Sequence, residues 1–311
     1  MAPSYADLRQ SPIDDLCDFA RSSPEPPRGL RAYAGIVPLP PLVDPVATLT
    51  ASERARTARH LTLAPLGEIG QRRLAAAHVA VVGAGGLGSA VIPALVAAGV
   101  GSLTVIDDDV VEVSNLHRQT LHRYEDIGQA KVDSVVRVAG DLAPETTVIT
   151  RREHLEATNA QDLLRGAHVV VDGTDTFATR TAVAAACESL GVPLVWGVLQ
   201  EFHAQVTVFW SAPPPGVPAV RLDDLYPADR VGEPPTCAAV GVLGAVCLQA
   251  GGIMAIETVK LITGIGEPLL GRVLVIDALR GTQAEVPVRA AASITPPSSE
   301  SALRTHEATV P

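Results

Sequence analysis

Cysteine is scarce in this 311-residue chain, whose four copies are Cys17, Cys187, Cys237 and Cys247. No two of them form a C-x-x-C pair, which argues against a zinc ribbon, and the wide spacing argues against a dense disulfide framework. A reducing compartment, the cytoplasm, is the simplest setting for such thiols. Concentrated positive charge is missing too. The net charge is −10, from 24 Lys+Arg against 34 Asp+Glu. No basic cluster is available to neutralise a phosphate backbone, so no nucleic-acid partner is expected. The opening MAPSYADLRQ has no apolar run, and no secretory leader is expected. Between Glu233 and Glu257 charge disappears altogether, over a length that imitates a membrane span. Gly241, Gly244, Gly251, Gly252 and Gln249 interrupt it, so a buried glycine-rich turn and core helix is the better reading, with no membrane partner.

The rest is globular in bulk, 47% hydrophobic and 19% charged, with length for one large domain or two small ones. Residues 1–49 carry nine prolines and little periodicity, and read as a partly ordered extension. Residues 291–311 read as a loose polar tail, which leaves 50–290 as the domain proper. The run TLTASERARTARHL predicts a capped helix start, with Glu53 in its first turn. Apolar strand-like runs follow at 78–83, 103–107, 168–172 and 193–197, with a weaker one near 147–150, and helical stretches separate them. Parallel strands need crossovers of about a dozen residues, so this alternation predicts a doubly wound, Rossmann-like α/β sheet. From Phe202 to Trp210 the period changes to two, which predicts an antiparallel extension. A proline-rich crossing over 212–235, the apolar helix and a last strand at 273–277 complete the pattern.

The stretch from His78 to Gln119 carries the chemistry. Gly83, Gly85 and Gly88 satisfy G-x-G-x-x-G with a strand before and a helix after. The first glycine permits the turn, the second admits a phosphate, and the third lets helix and strand pack. The helix N-terminus adds free N–H groups and a positive dipole end. Asp107 closes the second strand, where an acid accepts from a ribose hydroxyl. Asp108 and Asp109 read as a solvated turn. These features fit NAD as well as ATP. Charge discriminates between them: cleaving ATP at its α-phosphate needs cations for the departing pyrophosphate and a carboxylate for Mg²⁺. Arg118 in SNLHRQ, Lys131 at the edge of an apolar helical stripe, and Asp172 and Asp175 at the end of the strand HVVVD supply both, which favours ATP.

Several segments then resemble one family in order: RARTARHL, GEIGQRRL, VVGAGGLGS, IDDDVVEVSNLHRQ, IGQAKVDS, VDGTDTFATR, TCAAVGVLG and the stretch from AIETVKLITG to VIDALRG. Over residues 50–285 the chain is similar to the ThiF/MoeB adenylyltransferases, bacterial relatives of ubiquitin-activating enzymes. The resemblance implies a homodimer that uses ATP to adenylate the C-terminal Gly-Gly carboxylate of a small ubiquitin-like sulfur-carrier protein, ahead of thiocarboxylate formation. It implies that Gly86 and the glycine turn hold phosphate and that Asp107 holds ribose. Ser114, Asn115, Arg118 and Lys131 contact the triphosphate, and Asp175 holds Mg²⁺. Arg59 reaches into the partner subunit's site, and Cys237 is a candidate for a covalent sulfur link.

Departures from the family pattern carry their own expectations. The two C-x-x-C pairs that hold zinc in many members are replaced, the first by RLDD at Arg221–Asp224, so no zinc is expected. Thr176 stands where asparagine usually follows the Mg²⁺ aspartate, which alters one nucleotide contact. With no rhodanese domain following, a separate sulfur-donor protein is expected. Cys187 and Cys247 read as inert core residues. Three other readings stay open: adenylation of a peptide or small carboxylate, a non-catalytic nucleotide-binding adaptor, and an NAD oxidoreductase.

Overall fold

A computed structural model describes residues 39–227 and 240–288 of the chain. Thr50 caps the first helix, α1 (Ala51–Arg56): its Oγ1 accepts from the Glu53 amide at 3.1 Å, and its own amide donates to the Glu53 carboxylate at 2.7 Å. The helical run then breaks. Thr57 donates its hydroxyl to the Glu53 carbonyl (2.7 Å) and leaves helical geometry, and α2 (Ala58–Leu61) starts afresh before α3 (Gly67–Ala76).

The sheet has eight strands in the order β3-β2-β1-β4-β5-β6-β7-β8. These are β1 (His78–Val82), β2 (Ser102–Ile106), β3 (Thr147–Arg151), β4 (Val169–Asp172), β5 (Leu194–Gln200), β6 (His203–Phe209), β7 (Arg272–Asp277) and β8 (Thr282–Pro287). The first five are parallel, and β6, β7 and β8 extend them antiparallel. The parallel-then-antiparallel sheet is the one the change of period predicts. β8 escapes sequence reading because it is an exposed edge: TQAEVP has no buried residue and so no apolar alternation.

Helices cover both faces. On one side α3, α4 (Gly88–Ala98), α5 (Lys131–Leu142) and α9 (Gly244–Thr263) pack over Val79, Val81, Val105 and Val206. On the other, α6 (Ala160–Leu164), α7 (Phe177–Leu190) and α8 (Leu222–Leu225) pack over Val170, Trp196 and Phe209. Fully buried leucines such as Leu74, Leu95 and Leu164 each contribute roughly 1.5–3 kcal/mol. α9 is the uncharged stretch of the sequence. It is long and apolar enough to cross a bilayer, yet Val246, Cys247, Met254, Leu261 and Ile262 bury it in the core. The packed chain begins earlier than the expected boundary at residue 50. Leu39, Val43 and Leu49 are buried, and the Leu42 amide donates to the Leu261 carbonyl of α9.

Because β2 and β4 lie on opposite sides of β1, connections leave β1 and β4 in opposite directions. A crevice opens at the carboxyl ends of these two strands, where ligands bind in open α/β sheets.

Candidate functional site

The crevice is a cavity of about 430 Å³. Its floor is the glycine turn between β1 and α4. Gly83 has φ +91°, a left-handed conformation that suits glycine, and its amide donates to the Ile106 carbonyl of β2 at 2.8 Å. Gly88 is forced by packing, since a Cβ there would stand 2.0 Å from the Gly83 carbonyl oxygen. The third glycine therefore closes the turn, while Gly85 and Gly86 line the cavity. Their amides have no hydrogen-bond partner among the described residues, whereas the Ser89, Ala90 and Val91 amides in the first turn of α4 donate to the Gly85 and Leu87 carbonyls.

Asp107 sits at the end of β2 beside this turn. Its Oδ2 accepts from the Ala84 amide at 2.7 Å and its Oδ1 from the Asp109 amide at 2.9 Å. Burial pushes its carboxyl above the usual range, while Lys131 and the two amides favour the ionised form that a ribose hydroxyl needs. Lys131 opens α5 with its side chain only 7% exposed, and its ammonium lies 2.8 Å from the Asp109 carboxylate. Asp109 is 69% exposed, as a solvated turn requires, and the pair gives it Lys131 as a partner besides water. The peptide of Asp109 also accepts from the Lys131 amide at 3.0 Å, so Asp107 and the buried cation are held in one register.

Arg118 reaches the cavity from the loop after β2, with its Nη1 donating to the Ser114 carbonyl at 3.0 Å. Ser114 and Asn115 are not among the lining residues. The Ser114 hydroxyl donates to Glu112, and Asn115 is buried with its Oδ1 accepting from the Glu112 amide. They shape the turn that carries Arg118. Asp175 and Thr176 line the opposite wall, between β4 and α7. Thr176 is the N-cap of α7, accepting from the Thr179 amide at 3.3 Å, so its side chain is committed to the helix. Asp175 is an exposed carboxylate, suited to a hydrated Mg²⁺ shared with phosphates. Arg59 is exposed on α2 and lies outside the cavity. Cys237 lies outside the described residues.

A family model described as the ThiF family matches residues 57–295. The chain belongs to the ThiF family. It is 44% identical over 252 residues to a Mycobacterium tuberculosis protein named probable adenylyltransferase/sulfurtransferase MoeZ, covering 81% of this chain and 64% of that one. It is 41% identical to the sulfur carrier protein adenylyltransferase of Thermus thermophilus, over 77% of this chain and 89% of that protein. It is 40% identical to the SAMP-activating enzyme E1 of Haloferax volcanii, over 78% and 88%. Among solved structures, E. coli MccB with ATP superposes with a TM-score of 0.64 at 20% identity, covering 77% of this chain and 72% of that one. PaaA superposes with a TM-score of 0.64 at 20% identity, covering 78% and 85%. These two likenesses show the fold.

The ThiF-family site also contains residues that motif reading passes over. Arg180 on α7, 4% exposed, lines the cavity. Its signal was an arginine in an otherwise apolar stretch of helix, FATRTAVAAA. His122 is buried under the glycine turn, with Nε2 on the Ala84 carbonyl (3.0 Å) and Nδ1 on the Ser134 hydroxyl (2.9 Å), and burial holds its pKa below the ordinary value. Cys247 on α9 also lines the cavity, with its sulfur 2.9 Å from where a Cβ on Gly86 would stand. Cys187 is buried in the opposite face, where desolvation pushes its thiol up and keeps it unreactive.

Proposed function

We propose that this protein binds ATP and Mg²⁺ and adenylates the C-terminal Gly-Gly carboxylate of a ubiquitin-like sulfur-carrier protein. The observation that carries the reading is the placing of Lys131 and Arg118 on the same cavity wall system as the glycine turn, Asp107 and Asp175. A nicotinamide cofactor needs no such cations around its pyrophosphate, whereas pyrophosphate departure does. The names of the Thermus and Haloferax relatives, similar along most of their length, support the same substrate class.

In the proposed reaction a carboxylate oxygen of the carrier attacks the α-phosphorus of ATP. The bond from that phosphorus to the bridging oxygen of pyrophosphate breaks, and pyrophosphate leaves with both electrons. The product is a mixed anhydride, which a sulfur nucleophile opens by displacing AMP. Asp107 orients the ribose, the turn amides of Gly85 and Gly86 hold phosphate oxygens, and Lys131 and Arg118 stabilise the charge that develops on pyrophosphate. Asp175 would hold Mg²⁺, which supplies further charge neutralisation. The proposal includes a cytoplasmic homodimer in which Arg59 completes the partner's site, and no structural zinc: at the position of the first family cysteine pair, Asp224 accepts from the Arg221 amide at 2.8 Å. Exchange of labelled pyrophosphate into ATP tests it. Exchange that requires both Mg²⁺ and a Gly-Gly-ended carrier supports the reading, and exchange with a peptide or small carboxylate alone replaces it.

A further inference from the structure

The cavity spans both halves of the fold. One half faces β1, β2 and α5 and holds the glycine turn, Asp107 and Lys131; the other faces β4, β5 and α7 and holds Thr174, Thr179, Arg180 and Val198. In doubly wound folds a dinucleotide spans both halves of this crevice. A mononucleotide anchored by Asp107 and the glycine turn would lie mainly in one, with only its phosphates directed towards Asp175. The second half has a buried cation at its base.

Arg180 is 4% exposed and forms no ion pair among the described residues. The one hydrogen bond of its side chain there runs from Nη2 to the Thr174 carbonyl at 2.5 Å, and its Nε has no partner. The guanidinium lies 5.3 Å from the centre of the Trp196 ring, which supports its flat face and leaves its edge donors to be used. Asp172 acts on Arg180 through space, without an ion-pair contact. It is fully buried, spends Oδ1 on the amide and hydroxyl of Thr174, and is pushed by desolvation towards its neutral acid while Arg180 pulls it back towards the anion. A buried guanidinium whose edge donors are not all hydrogen-bonded is costly, and a flat fork of donors matches a carboxylate. Lys131, in contrast, already has Asp109 at 2.8 Å and belongs to the phosphate half.

We propose that Arg180 binds the terminal carboxylate of the acyl substrate in the β4–β5 half of the cavity and presents it to the nucleotide. The inference rests on the adenylation reading and adds a substrate-recognition residue to it. Arg180 reads the charge of the chain end, so the same chain end as an amide is refused.

The test is calorimetric. A five-residue synthetic peptide ending in Gly-Gly is titrated, as free acid and as C-terminal amide, into the full-length protein saturated with a non-hydrolysable ATP analogue and Mg²⁺. The wild type is expected to bind the acid about tenfold or more tightly than the amide, the range of a charge-assisted hydrogen bond. Arg180→Lys keeps a cation and loses the fork, so it should reduce that preference to about threefold or less while its affinity for the ATP analogue stays within about threefold of wild type. Equal binding of both peptides by the wild type, or binding of neither, overturns the inference. So does a Lys variant that keeps the acid preference, or one that loses the ATP analogue instead, since either outcome leaves Arg180 a purely structural or phosphate-binding residue. Pyrophosphate exchange separates this from the wider reading. Exchange without acid preference refutes the role of Arg180 alone, and acid preference without exchange refutes adenylation and leaves the carboxylate site standing.

Discussion

Lys131→Met separates catalysis from folding at this site. The lysine side chain is 7% exposed, so its stem is packed and methionine retains most of that contact. The ion pair that is lost joins Nζ to Asp109 at 2.8 Å, but the Asp109 carboxylate is 69% exposed. Water re-solvates that carboxylate once the lysine is gone, and the buried Asp107, which Lys131 also helps to ionise, keeps the Ala84 and Asp109 amides. Such a pair is worth about 0–1 kcal/mol, and removing a desolvated ammonium offsets part of it. The melting temperature should move by no more than about 2–4 °C, the shift that roughly 1 kcal/mol produces in a domain of this size. Activity should behave differently. Removing one preorganised charge contact from a departing anion costs about 3 kcal/mol, a rate loss of roughly 10²–10³-fold. The assay is the initial rate of carrier-dependent pyrophosphate exchange beside a thermal melt of the same sample. Exchange within about threefold of wild type would refute the assignment of Lys131 to the leaving group. A melting temperature lowered by more than about 10 °C would refute the argument that the ion pair is replaceable.

Three further predictions follow from the geometry. Gly88→Ala places a Cβ 2.0 Å from the Gly83 carbonyl oxygen, whereas Gly128→Ala, at φ +85° with nothing within 4 Å, meets only backbone strain. Each should cost about 1–3 kcal/mol in a thermal melt, but only the Gly88 variant should lose ATP binding, by about tenfold or more; equal affinities would show that the turn does not hold phosphate. Asp175→Asn should reduce exchange by about 10²-fold with Mg²⁺ present while leaving ATP binding in EDTA unchanged, and a parallel loss in EDTA would move Asp175 from metal to nucleotide. Burial holds the folded pKa of His122 below the ordinary value near 6.5, so the unfolded chain takes up a proton that the folded chain refuses as pH falls. Stability from this group is complete above about pH 7 and declines below about 6.5. His122→Gln should flatten the fall of melting temperature between pH 7.5 and 5.5 relative to wild type, and identical slopes would contradict it.

Much of the site was legible because its parts are tied to chain direction. A strand, a glycine turn and a helix fix where Gly83, Gly85 and Gly86 lie. An acid at the end of the next strand must fall beside them, and Asp107 does so through its bond to the Ala84 amide. Arg118, Lys131 and Asp175 follow strand or loop ends on the same edge of the sheet and line the same cavity. What sequence could not supply was partnership across the fold. Asp109 looks like one more exposed acid until α5 delivers Lys131 to it. Arg180 belongs to an apolar helix, and only the packing of α7 against β5 sets it over Trp196. The same limit hid β8, whose pairing with β7 is made by backbone groups that carry no residue signature. It also hid the packed segment 39–49, where prolines masked the buried Leu39 and Val43. Ser114 and Asn115 show the converse. Their motif is local, and the structure uses it to build a turn, with the charge of Arg118 as its product.

The proposed reaction joins AMP to a carrier's terminal carboxylate in this cavity. Intact-mass spectrometry of a ubiquitin-like, Gly-Gly-ended carrier after incubation with the protein, ATP and Mg²⁺ tests it most directly. A carrier bearing one adenylyl group is expected with wild type, absent when the carrier lacks its last glycine, and greatly reduced with Lys131→Met. An unmodified carrier, across carriers that bind the protein in the presence of ATP, would contradict it.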